Sequence, residues 1–517
     1  MNNFLDQVKQ VLTDSGNNRS VTENGAVGYK TSGKKLLDLN FAVSSMREWD
    51  ERKIIAAFQD AYGENPTLAI VWLFFARDVR GGLGERRLFR VCMQYLAREF
   101  PSTVRKLLPI IAEYGRWDDL LQLMDTSLSS DVAAIVRDQL TKDMKGMKAG
   151  KPISLLAKWL PSENASSKET KEAALKMVAA LHVRPRSYRL MLSALRSYLN
   201  IIEKKMSENE WQSIDYQAVP SRANLIYNSA FLRHDEDRRR AFLSKLEKGE
   251  AKINASVLFP HDIVHKYNSY SYRNMHVDPA VEAMWKSLPD LPKNDGGTIV
   301  VADGSGSMTT TVAGTKVSAL EVANSLAIYF SERLTGPYKN QYITFSEHPQ
   351  LVDLSGASSL LGKLQIARRH DEVANTNVEA VFDLILATAV KNHLPQSSIP
   401  SNILIISDME FDACACDNNP VTHGWYRSKS VSPTLFDAIA KKYNRYGYQL
   451  PRLVFWNVCS RTGTIPVKEN ALGVALVSGF STNVAKMVMS NTVDPMDALL
   501  ETLNDKRYDP VREVLKA

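Results

Sequence analysis

Cysteine is scarce in this chain: Cys92, Cys414, Cys416 and Cys459 are the four among 517 residues. Four thiols are too few for a disulfide framework and fit a reducing compartment. Long apolar runs are missing as well. No stretch reaches the roughly 18 residues that span a bilayer. The opening MNNFLDQVKQ lacks the charged-then-apolar pattern of a secretory signal. A cytoplasmic protein with no membrane partner is therefore expected. No Gly-rich loop ends in Gly-Lys-Ser/Thr, so no nucleotide cofactor is expected. His261 and His265 are not set in a His-Glu-x-x-His motif and are read as structural. Cys414-x-Cys416, with Asp412 and His423 nearby, has no second cysteine pair and reads as a loop rather than a zinc site. No aromatic-interleaved recognition strand for RNA appears either.

What is present is an ordinary globular composition, 44% hydrophobic and 23% charged. The length exceeds one hydrophobic core and implies two or three domains. The net charge of +7 is unevenly placed. Residues 1–297 hold 44 basic and 36 acidic side chains, and the remainder 20 and 21. Residues 142–205 alone hold 14 basic and 5 acidic ones. Such an excess can form an electrostatic footprint for nucleic acid, or a set of solvated helix faces balanced by acids elsewhere. Both readings stay open on charge alone.

The pattern along the chain divides it into four parts. Residues 1–45, rich in Gly, Asn, Ser and Thr, read as an extended segment. Residues 46–286 carry apolar side chains at three- and four-residue spacing between short turns, as in PTLAIVWLFFARDVR and TVRKLLPIIAEYG. This predicts consecutive amphipathic helices stacked as a HEAT-like array, without a strict repeat period. Residues 287–297, SLPDLPKNDGG, are a linker. Residues 298–517 alternate β-branched runs (TIVVAD, YITFSE, SNILIISD, PRLVFWNV, GVALVSG) with helical ones. That alternation predicts an α/β doubly wound sheet covered on both faces, with further helices at its end.

Ligands of such sheets bind at the carboxyl ends of the strands. Asp303 ends one predicted strand and is followed by Ser305 and Ser307. Asp408 ends another, and Thr376 precedes a helix between them. These five side chains offer hard oxygens, and neutral hydroxyls with a few carboxylates suit Mg2+. Asn375 and Asn377 are alternatives to Thr376. No general base is evident, since His370, His423 and Glu410 are near only in sequence. A metal-dependent nuclease is thus the outside reading, and a binding site the main one.

Asp-x-Ser-x-Ser with a distant Thr and a distant strand-end Asp resembles the metal-ion-dependent adhesion site of von Willebrand factor A domains. The resemblance implies that Ser305, Ser307 and Thr376 ligate Mg2+ directly or nearly so, that Asp303 and Asp408 act directly or through water, and that an open position accepts an acidic oxygen from a protein partner. The whole chain, from about residue 25 to 510, is similar to the Ro autoantigen family, whose TROVE module of helical repeats is joined to an A domain. It is more similar still to a family of unknown function with the same plan, through ARDVRGGLGE, YGRWDDL, VPSRANLIYNSAFLRHDEDR, KINASVLFPHDIV and VADGSGSM.

The Ro resemblance implies a ring closed by the A domain, non-enzymatic, that binds structured small RNA or single-stranded RNA ends. The candidate RNA contacts are Arg77, Arg80, Arg86 and Arg87, around Gly81, Gly82 and Gly84, and Lys142, Lys145, Lys148, Arg184, Arg186, Arg189 and Arg196. The glycines are expected to expose backbone amides to phosphate. The competing reading is that Asp78 and Glu85 pair with the arginines and merely shape the turn. RHDEDRRR (233–240) reads as an exposed helix start. A protein-interaction scaffold is the alternative function.

Overall fold

The structure, a computed structural model, describes residues 18–255, 257–268, 276–292, 297–345, 347–372, 374–412, 434–467, 473–489 and 494–516. Helices fill the first half, as the apolar spacing predicts. Their starts are written locally. Asn65-Pro66, Asp278-Pro279 and Asp494-Pro495 each set an Asx side chain on the first free amides of a helix while proline opens the first turn. The helix Pro66–Arg77 is apolar around its circumference and buried from Ala69 onward. It is the axis of this half, packed between Glu51–Glu64, Arg86–Glu99 and the C-terminal helix Asp509–Lys516. Consecutive helices are spatial neighbours, a repeat-like arrangement.

Arg19–Val21 (β1) and Val27–Tyr29 (β2) form an antiparallel hairpin. The second half is built on a six-stranded sheet of Thr298–Asp303 (β3), Gln341–Phe345 (β4), Gln350–Asp353 (β5), Asn402–Ser407 (β6), Arg452–Asn457 (β7) and Val474–Ser478 (β8). Their order is β5-β4-β3-β6-β7-β8. Neighbours are parallel except β4 and β5. The sheet is mixed rather than purely parallel because the short link from Phe345 to Gln350 has no room for a crossover. Every residue of β3 is buried, and Ala319–Arg333 packs against it. Strand order reverses between β3 and β6, which makes their carboxyl ends the switch point of the sheet.

Many contacts join the two halves, and the hairpin and the C-terminal helices supply two sets of them. The hairpin leaves the helices and docks beside the sheet. Tyr29 and Ile465 exchange backbone hydrogen bonds of 2.8 Å each way. The approach is so close that a Cβ on Gly28 would stand 2.5 Å from Thr464 Cγ2, so only glycine fits. In return, the C-terminal helices lie on the first half: Tyr114 Oη donates to the Arg507 carbonyl at 2.6 Å, and Arg507 Nη2 meets Asp78 Oδ1 at 2.8 Å. The extended segment and the terminal helices are thus parts of one shared interface. Among the described residues no helix is long and apolar enough to cross a membrane.

Candidate metal centre

β3 delivers Asp303 to the carboxyl edge of the sheet, fully buried. Its Oδ1 accepts from the Ser305 amide at 2.9 Å, which turns the chain sharply. Its Oδ2 accepts from Ser407 Oγ at 2.5 Å, which ties the end of β3 to the end of β6. Ser305 Oγ lies 3.0 Å from Ser307 Oγ. The loop then meets the segment before the helix Glu379–Lys391: the Gly306 amide donates to the Ala374 carbonyl at 2.9 Å. In that segment Thr376 is buried and Asn375 exposed, while Asn377 Oδ1 accepts from the Ala380 amide at 3.1 Å. Thr376 is therefore the buried residue of the three. Asp408, 1% exposed, follows β6, and its Oδ1 accepts from the Glu410 amide at 3.2 Å.

The five side chains singled out in the sequence converge on one edge. Their electrostatics are unfavourable as they stand. Burial, then the neighbouring Asp408, pushes the Asp303 carboxyl up to about 7. Burial raises Asp408 as well, against the Ser307 hydroxyl, the Glu410 amide and Arg461. Asp408 Oδ2 is buried and accepts no hydrogen bond. The Arg461 guanidinium is 3.5 Å from it, within ion-pair range but beyond good hydrogen-bond geometry. An orphaned buried carboxylate oxygen among hydroxyls is a costly arrangement that a hard cation would relieve. The donor set Ser305, Ser307, Thr376, Asp303 and Asp408 fits Mg2+ in kind. Among the described residues no three His, Cys, Asp or Glu side chains cluster as a metal site. Any cation here would depend on the hydroxyls.

Sequence reasoning missed the hairpin. Asn24, at its tip, donates from Nδ2 to Thr376 Oγ1 at 3.1 Å and to the Glu410 carbonyl at 2.7 Å. The Glu23 amide donates to Glu410 Oε2 at 3.0 Å, and the Glu23 carboxylate pairs with Arg461 at 2.7 Å. No local signal connects residues about 350 positions apart. The Glu410 carboxylate is fully engaged: it accepts from the amides of Glu23, Arg461 and Thr462 and the hydroxyls of Ser460 and Thr462. It pins the hairpin and the loop after β7 together. His370 lies 3.0 Å from Gln350. Cys414, Cys416 and His423 fall outside the described residues.

The candidate RNA contacts separate into two groups. Arg77 is 2% exposed and bound to the buried Asp119 at 2.7 Å, so it is a structural ion pair and not a surface contact. Arg87 spends its guanidinium on the Met46 and Trp49 carbonyls. Arg196 spends its own on Ala157, Leu160 and Ser162. Part of the backbone of the glycine turn is used internally: the Gly82 amide donates to the Asp78 carbonyl and the Leu83 amide to that of Phe75. Arg80 and Arg86 are exposed. So are Lys142, Lys145 and Lys148 on the helix Ser129–Lys148, and Arg184, Arg186 and Arg189 at the start of the helix Pro185–Tyr198. Those two helices pack together. Within RHDEDRRR, Arg239 is buried, bonded to Asn224 and Asn228 beneath the rings of Tyr216, Phe231 and Phe242, and desolvation lowers its guanidinium to about 10. His261, lodged between Phe259 and Phe480, is held neutral by burial, its imidazole lowered to about 4, and is structural as expected.

Comparison with known proteins matches both halves to families of unknown function. Residues 22–135 and 163–296 match a domain of unknown function, DUF2828. Residues 297–514 match a second, DUF7788. An uncharacterized protein of Acanthamoeba polyphaga mimivirus is 30% identical over 531 aligned positions, covering 96% of this chain and 89% of its own length. Lys142, Lys145 and Lys148 fall between the two stretches matched in the first half.

Proposed function

We propose that this chain, which belongs to the family of unknown function that joins DUF2828 to DUF7788, is a non-enzymatic, cation-dependent binding protein. The second half acts as a von Willebrand A-like module. The observation that carries the reading is the buried Asp408 Oδ2 with no hydrogen bond, at the edge where Ser305, Ser307, Thr376 and Asp303 meet. When bound, Mg2+ or a similar hard dication supplies a Lewis-acidic point whose shell a partner's carboxylate oxygen completes. Ser305, Ser307 and Thr376 hold it through neutral oxygens, leaving it electropositive toward an incoming acid. Asp303 and Asp408 supply the charge that keeps it in place, and Ser407 orients Asp303. The helical half supplies the scaffold, and its contact with the C-terminal helices supports a closed arrangement of the two halves.

The test is cation titration by calorimetry on the full chain. Mg2+ or Mn2+ is expected to bind one site, and the double variant Ser305→Ala/Ser307→Ala to lose affinity by at least about 10–100-fold. A glutamate-containing partner retained with Mg2+ should be released by chelator. Equal cation binding by the double variant sinks the reading.

A second reading, RNA binding, is supported by a separate observation: among the described residues, Lys142, Lys145, Lys148, Arg184, Arg186 and Arg189 are exposed on packed helices and none lies within ion-pair distance of an acidic side chain. Phosphate contacts from such a face would be salt-dependent. Replacing Lys142, Lys145 and Lys148 together by Gln should lower the slope of log affinity against log salt by about 2–3. Absence of RNA binding by the wild-type chain at low salt removes this reading.

A further inference from the structure

The hairpin places a carboxylate beside the candidate metal centre that no motif announces. Its backbone is fixed there by five contacts: the Glu23 amide to Glu410, Asn24 Nδ2 to Thr376 and to the Glu410 carbonyl, Thr22 Oγ1 to the Phe411 carbonyl at 2.6 Å, and the Ala26 amide to the same carbonyl at 3.3 Å. The Glu23 side chain is about half exposed, 48%, and Arg461 Nε donates to its Oε2 at 2.9 Å. One guanidinium nitrogen, Arg461 Nη2, stands 2.7 Å from Glu23 Oε2 and 3.5 Å from Asp408 Oδ2. Among the described residues Arg461 is therefore the one counter-charge within ion-pair range of Asp408, and it serves two carboxylates at once. Two carboxylates facing one another across a single positive nitrogen are also the charge arrangement of a bridged cation.

We infer that Glu23 is a further carboxylate of the cation site, supplied in cis by the hairpin, and that Arg461 is the stand-in counter-charge that gives way there. The inference rests on the metal-centre reading above. Arg461 holds Asp408 and Glu23 together. Ser305, Ser307, Thr376, Asp303 and Asp408 would hold a dication; its charge would compete with Arg461 for Asp408, and Glu23 would serve as an outer carboxylate. Asn24 stays on Thr376 and orients that hydroxyl. Cation occupancy is thereby tied to the docking of residues 19–29. Glu23 also becomes the in-chain competitor of any partner carboxylate approaching from that side.

Opposite charge changes on the two residues test this. Calorimetric titration with Mg2+ and with Mn2+ should show Glu23→Gln weakened by about tenfold and Arg461→Gln strengthened by a similar factor, relative to wild type. Hydrogen exchange supplies a second readout. Mg2+ should slow exchange of amides 19–29 in the wild type and leave it unchanged in Glu23→Gln. Glu23 is half exposed, so its variant keeps the wild-type melting temperature. Wild-type affinity in Glu23→Gln, alongside its loss in Ser305→Ala/Ser307→Ala, overturns the inference and spares the metal centre. Absence of cation binding by the wild type overturns both.

Discussion

Asp119→Ala is expected to destabilise the protein by about 3–5 kcal/mol, read as a lower urea midpoint. Asp119 has no exposed side-chain surface, and Arg77 only 2%. Arg77 Nε reaches Asp119 Oδ2 at 2.8 Å, Arg90 Nε reaches Oδ1 at 2.6 Å, and the Arg116 amide caps Oδ2 at 2.9 Å. Removing the carboxylate leaves Arg77 charged in the core with no counter-ion. The cost is the desolvation of that guanidinium, which exceeds the worth of the pair itself. Asp118, 24% exposed and bonded to Arg90 and Arg116, is the control: its replacement by Ala should cost about 1 kcal/mol or less. A variant Asp119→Ala within about 1 kcal/mol of wild type would show that Arg77 finds water, and that the helix Pro66–Arg77 is not the buried axis described.

Asp303→Asn should act in the opposite direction on the cation-free protein. Burial and Asp408 raise the Asp303 carboxyl to about 7 from an ordinary value of 3.8. A raised acid holds its proton more tightly in the folded state. Stability is therefore greatest below pH 3.8 on this account and falls as pH rises through about 7. The ionised pair then carries a penalty on the order of 2–4 kcal/mol, shared between Asp303 and Asp408. Asparagine keeps the shape and removes the charge. Its melting temperature above pH 7 should exceed that of wild type by several degrees, and its fall between pH 4 and 7 should be shallower. Mg2+ should raise the wild-type melting temperature above pH 7 and leave that of Asp303→Asn unchanged. A variant less stable than wild type without cation and equally responsive to Mg2+ would contradict both the like-charge strain and the role of Asp303.

The candidate site was legible where its signal is local. Asp303, Ser305 and Ser307 lie within five residues, after a run of β-branched residues that can only be a buried strand. Thr376 and Asp408 were legible from their elements, since a strand end and a helix start in this grammar fall on the same edge. The arginines around the glycine turn were not legible. Asp78 pairs with Arg507 and Asp119 with Arg77, and neither partnership has a spacing rule that could announce it. Glu410 stood near the site only in sequence. Its carboxylate joins the hairpin, through the Glu23 amide, to residues 460–462 of the loop after β7.

By itself the sequence determined the helices, the parallel strands and the hydroxyl loop, because periodicity, Asx-Pro starts and strand-end residues act over a few positions. Tertiary structure alone decided which charges are free and which are spent. It buried Arg77 and Arg239, left Lys142, Lys145 and Lys148 in water, and set Arg461 between Asp408 and Glu23. The reason is physical. The cost of a charge depends on what folds over it, and here the covering groups come from segments hundreds of residues away.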